Sequence, residues 1–68
     1  MSVAKVSEIS CTSKKSFEDA IQSGLARAAK TLRGMRSAWI AEQKVRINKN
    51  GKVDEYQVNL RVTFVLED

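Results

Sequence analysis

Sixty-eight residues, 43% hydrophobic and 29% charged with a formal net charge of +4, describe one small globular domain rather than a disordered chain. A single cysteine, Cys11, and no histidine exclude a disulfide framework, a multi-cysteine zinc site and histidine-dependent nucleophiles or metal sites. A domain of this size buries only about 60% of the surface its unfolded chain exposes, so oligomerisation is the stabilising device that remains.

The chain opens on Met1-Ser2-Val3-Ala4-Lys5-Val6, which lacks the basic segment and apolar run of a signal peptide. No apolar stretch approaches the roughly 18 residues of a membrane span. The reading is a soluble, cytoplasmic protein. Val3 to Cys11, rich in Val, Ile and Ser, predicts a short strand. Ser13 or Ser16 then offers an N-cap, and Ser16-Phe17-Glu18-Asp19 has the form of a capping box with Asp in place of Glu. Phe17, Ala20, Ile21, Gly24, Leu25, Ala28 and Leu32 follow at helical spacing. They predict a helix from Ser16 to Arg33, with Gly34 as its C′ residue. Its stripe carries small residues, Ala20, Gly24 and Ala28, where another backbone can approach.

From Ser37 onward the pattern is that of a hairpin turning at Asn48-Lys49-Asn50-Gly51. Tyr56, Val58, Leu60, Val62, Phe64 and Leu66 alternate strictly, with Glu67 and Asp68 ending the strand in charge. The fold class is α+β: a β-α-β-β chain whose three-stranded antiparallel sheet has order 1-3-2 and partly wraps one helix. One helix leaves the second sheet face wet or against another subunit. Trp39 has two readings. Without a bulge it joins Tyr56 and Val58 on the core face. A bulge in the second strand of the sheet turns Ala38 and Ile40 inward and puts Trp39 outside with Gln57.

No catalytic residue emerges. Glu42 and Glu55 form a carboxylate pair only if the fold brings them together, and Cys11 has no histidine to activate it. The chain is rich in Lys and Arg, but carboxylates are interspersed and no aromatic stripe offers base stacking, so nucleic acid is not the expected partner.

Cys11-Thr12-Ser13 stands where the strand meets the helix, and Ala20-Ile21-Gln22-Ser23-Gly24-Leu25-Ala26-Arg27-Ala28 forms the helix. Glu55-Tyr56-Gln57-Val58 opens the last strand, and Val62-Thr63-Phe64-Val65-Leu66-Glu67 closes it. In order and spacing these segments resemble the dodecin family, with Cys11 where the family usually has Gly. The resemblance makes residues 1–68 a single dodecin-like domain. It implies a hollow homododecamer with helices outside and sheets lining the interior. It also implies non-catalytic binding of flavin (riboflavin or FMN) for storage or buffering, each ring stacked on a tryptophan and hydrogen-bonded by a glutamine.

Gln57 matches that glutamine. Counted from Thr31 without gaps, the family's stacking position is Ser37, and Trp39 lies two residues later, about 6.5 Å along a strand. The expected cofactor-binding residues are therefore Trp39 and Gln57 as wall and polar hook, Ser37 beside them, and Arg46 and Arg61 for a phosphate tail. Dodecin-like members without the tryptophan are described as calcium-associated or ligand-free shells, which this sequence resembles at Glu42-Gln43. A structural or calcium-binding shell is the alternative, although the sequence has no dense acidic cluster to offer the six to eight oxygens calcium takes.

Overall fold

The computed structural model describes residues 3–66. β1 (Val3–Ser13), α1 (Phe17–Ala28), β2 (Met35–Ile47) and β3 (Val53–Leu66) follow in chain order. The strands form one three-stranded sheet in the order β1-β3-β2, antiparallel throughout, as the alternation and the hairpin predict. β1 runs two residues past its predicted end at Cys11. Glu67 and Asp68, the charged end expected of the last strand, lie outside the described residues.

β3 is central because its period-two pattern supplies one fully apolar face. Val58, Leu60 and Val62 are at most 1% exposed, and Phe64 is also buried. Helix α1 lies over β1 and β3, adding Ala20 to the core, with Phe17, Ile21 and Leu25 packed against it. Phe17 meets Tyr56 edge-on at 5.1 Å between ring centroids, which fixes the start of the helix to β3.

Ser16 is the N-cap, accepting from the Asp19 N–H at 2.9 Å. Asp19 does not close a reciprocal box. Its carboxylate accepts from the Ser13 hydroxyl at 2.6 Å, tying the helix to the end of β1. The helix stops at Ala28, five residues short of the predicted Arg33. Beyond it, Lys30 and Thr31 donate to carbonyls three residues back, so the chain tightens into turns. Leu32 is 37% exposed and lies beyond those turns, at the edge of a cleft over Lys5, Ser7 and Phe64 rather than in the core. Gly34 is correspondingly not a helix C′ residue. At φ +79° it opens β2, where its carbonyl accepts from the Val65 N–H and a Cβ would lie 2.8 Å from the Val65 carbonyl oxygen.

Of the small helix residues, Gly24 marks a close approach. An added Cβ there would lie 2.8 Å from Cys11 Cβ and nearer still to its Sγ. Cys11 is thus a buried packing residue, and desolvation raises its thiol pKa above the ordinary value of 9.0. With the folded pKa above the unfolded one, the thiol's contribution to stability is complete below pH 9 and is lost as pH rises beyond it. At pH 8 a thiol-specific disulfide reagent should label native protein far more slowly than urea-unfolded protein. Equal rates would show that Cys11 is open to solvent.

The sheet is much less covered than a self-sufficient domain requires. The protomer measures 53 × 20 × 14 Å with a radius of gyration of 14.1 Å, against roughly 11 Å for a compact chain of this length. Val6 and Trp39 on the open sheet face, and Ile40 and Ile47 on the helix side of β2, are about half exposed or more.

Candidate functional site

The β2–β3 register decides which residues meet. Near the turn, Lys44 opposes Gln57 and Arg46 opposes Glu55. The register then shifts between Ile40 and Glu42, so that Ala41 is the extra residue of a β-bulge and Trp39 opposes Arg61. The second of the two sequence readings therefore holds. Trp39 shares the open sheet face with Gln57, while Ala38 and Ile40 face the helix side opposite Val62 and Leu60. The expectation that Ala38 and Ile40 turn into the core needs correction: α1 covers β1 and β3, and Ile40 remains 48% exposed.

All five expected binding residues stand on this open face, in two groups. Trp39 and Arg61 form one. The guanidinium carbon lies over the indole, 5.8 Å from the ring centroid, and the Arg61 Nε is 4.0 Å from the Glu8 carboxylate. Arg61 is thus engaged with ring and carboxylate, a contact the sequence did not reveal. Ser37 lies one row beyond, opposite Thr63. Gln57 and Arg46 form the other group, lining a cleft of about 200 Å³ with Lys44, Val45 and Glu55, and Arg46 sits 4.0 Å from Glu55. Four residues along β3, about 13 Å, separate Gln57 from the row of Trp39.

Between the groups runs a hydrogen-bonded chain. The Gln57 amide nitrogen donates to Ser10 Oγ at 3.1 Å and to Asn59 Oδ1 at 3.2 Å. Asn59 Nδ2 in turn donates to the Glu42 carboxylate at 2.8 Å. Glu42 and Glu55 do not form a hydrolytic pair. Their partners on β3 and β2 put them about 13 Å apart along the sheet, beyond the roughly 6.5–9.5 Å of an inverting glycosidase. Among the described residues no group of three or more His, Cys, Asp or Glu side chains is placed to hold a metal ion. Among the described residues no helix is long and apolar enough to cross a membrane. The larger cleft, about 420 Å³ on the helix side between Leu32, Arg33, Lys5 and Phe64, contains none of the expected site residues.

A family model named Dodecin matches residues 3–67. The chain belongs to the dodecin family. It is 46% identical to the dodecin of Thermus thermophilus over 66 residues, covering 97% of this chain and 94% of that protein. A tryptophan-to-phenylalanine variant of the T. thermophilus dodecin superposes with a TM-score of 0.90 at 44% identity, each chain covered in full. The calcium dodecin of Mycobacterium tuberculosis, described as calcium-chelating with a novel calcium-binding site, superposes with a TM-score of 0.80 at 32% identity. That match covers 96% of this chain and 91% of the other.

In this dodecin the sequence reading missed four polar residues on the open face: Ser10, Glu42 as a hydrogen-bond acceptor, Lys44 and Asn59. The signal that finds Asn59 is the alternation of β3 itself, which puts it on the same face as Gln57 and one step away. Ser10 and Glu42 follow only from the strand order and the bulge.

Proposed function

We propose that this dodecin is a non-catalytic flavin-binding protein that stores or buffers riboflavin or FMN in a homododecameric shell. The observation that carries the reading is the bulge at Ala41, which turns Trp39 to the face that holds Gln57. Trp39 is half exposed and offers a flat apolar wall, and Gln57 offers an amide edge four residues away along β3. A long tricyclic ring lying along β3 reaches from one to the other. Ser37 borders the wall, and Arg46 with Lys44 in the cleft beside Gln57 suits a phosphate tail. Arg61 serves the ring, holding the indole in place.

Assembly is part of the proposal. The elongated protomer, its half-covered sheet and its exposed apolar residues on both faces call for other subunits, and twelve copies of a 7.6 kDa chain are the expected particle in light scattering. A monomer would remove the shell.

A calcium-binding shell is the second reading, favoured by the likeness to the M. tuberculosis calcium dodecin. Quenching of Trp39 emission separates the two readings. The flavin reading expects strong, saturable quenching by riboflavin and no response to calcium chloride. A calcium-dependent gain in thermal stability with unquenched tryptophan would favour the second.

A further inference from the structure

An amide side chain can present either its oxygen or its nitrogen to a partner, and which one faces a ligand is set by its other hydrogen bonds. On the open face that choice is propagated from Glu42. An ionised carboxylate only accepts, so the Asn59 side chain must turn its Nδ2 toward Glu42, where the two lie 2.8 Å apart. The Asn59 oxygen is then left facing Gln57, and it accepts from Gln57 Nε2 at 3.2 Å. The same Nε2 donates to Ser10 Oγ at 3.1 Å, so both hydrogens of the amide are committed within the sheet. Reversing Gln57 would set its oxygen against the Asn59 oxygen, leaving two acceptors without a hydrogen between them.

We propose that Glu42 and Asn59 are positioning residues that fix Gln57 as a hydrogen-bond acceptor toward the open face, so that the site selects flat heteroaromatics carrying an N–H donor on the edge nearest Gln57. The selection rests on the flavin-binding reading for its ligand, but the orientation of the amide does not. An imide edge such as that of an isoalloxazine supplies the donor. A ring alkylated at that nitrogen leaves the Gln57 oxygen without its hydrogen bond and brings a methyl group against it. The carboxylate chain therefore acts on ligand choice without touching the ligand.

Two measurements test this on the full chain. In ligand-free ¹⁵N-labelled protein, the two Gln57 amide protons should be well separated in shift and show cross-relaxation to Ser10 and Asn59. In Asn59→Leu, which leaves the buried face of β3 unchanged, they should collapse toward the values of a freely turning amide. A freely turning Gln57 in the parent protein, or spectra of Gln57 unaffected by Asn59→Leu, would overturn the relay. The second measurement compares the affinity of riboflavin with that of N3-methylriboflavin. The parent should prefer riboflavin by about tenfold or more, the range seen when a site built for a hydrogen bond meets an analogue lacking it.

In Glu42→Gln the anchor can donate as well as accept, and the preference should fall to about threefold or less while the depth of flavin quenching stays the same. A preference unchanged in Glu42→Gln and Asn59→Leu would overturn the positioning role. Failure of the parent to bind riboflavin, with the amide signature present, would overturn the flavin reading while supporting the relay.

Discussion

Gly24→Ala is expected to destabilise the fold by about 1–3 kcal/mol, the usual cost of forcing an extra methyl into a packed interior. The new Cβ would meet Cys11 Cβ at 2.8 Å and the thiol sulfur more closely, while Ala20 on the same helix face is fully buried and leaves no slack. Urea unfolding at a fixed protein concentration should show the midpoint fall, concentration being held because assembly contributes to stability. Cys11→Gly removes both atoms in conflict. Placed in the Gly24→Ala background it should recover most of the loss, even though a glycine in a strand carries its own cost. A double variant no more stable than Gly24→Ala alone would show that the helix and β1 are not in register through this contact.

Trp39→Ala is expected to weaken riboflavin binding by about tenfold to a hundredfold, the scale on which stacked bases lose affinity when an aromatic platform is truncated. It should also abolish most of the quenching of flavin emission. Trp39→Phe keeps a ring and should fall between the two. Because the open face is solvated in the protomer and Trp39 is half exposed, the fold should tolerate both changes. The decisive comparison adds Ser37→Trp to Trp39→Ala, moving the indole one row along the same face. Restored binding would mean that the face accepts a ring at either row. Unaltered riboflavin affinity in Trp39→Ala would place the wall elsewhere.

The fold was legible because its strongest signals are local. The strict alternation of β3 and the Asn48–Gly51 turn define the hairpin, and the Ser16 cap marks the start of the helix. The end of the helix was not, since Leu32 continues the helical spacing although the chain has already tightened into turns and leaves it outside the core. Spacing records periodicity, and only packing decides where periodicity is used. The face of Trp39 was equally closed to sequence reading. It depends on one extra residue, Ala41, whose side chain carries no mark of a bulge. Once that register and the β1–β3 pairing are known, the Trp39–Arg61 contact and the Ser10–Gln57–Asn59–Glu42 chain follow, because residues as far apart in sequence as Ser10 and Gln57 are brought side by side.

The most direct test of flavin binding on the open face is a titration of ligand-free protein into dilute riboflavin, followed by flavin emission. Each chain carries one tryptophan, so saturable quenching with an end point near one flavin per chain is expected. Undiminished emission at micromolar protein would contradict it, leaving a dodecin fold whose open face serves something other than flavin.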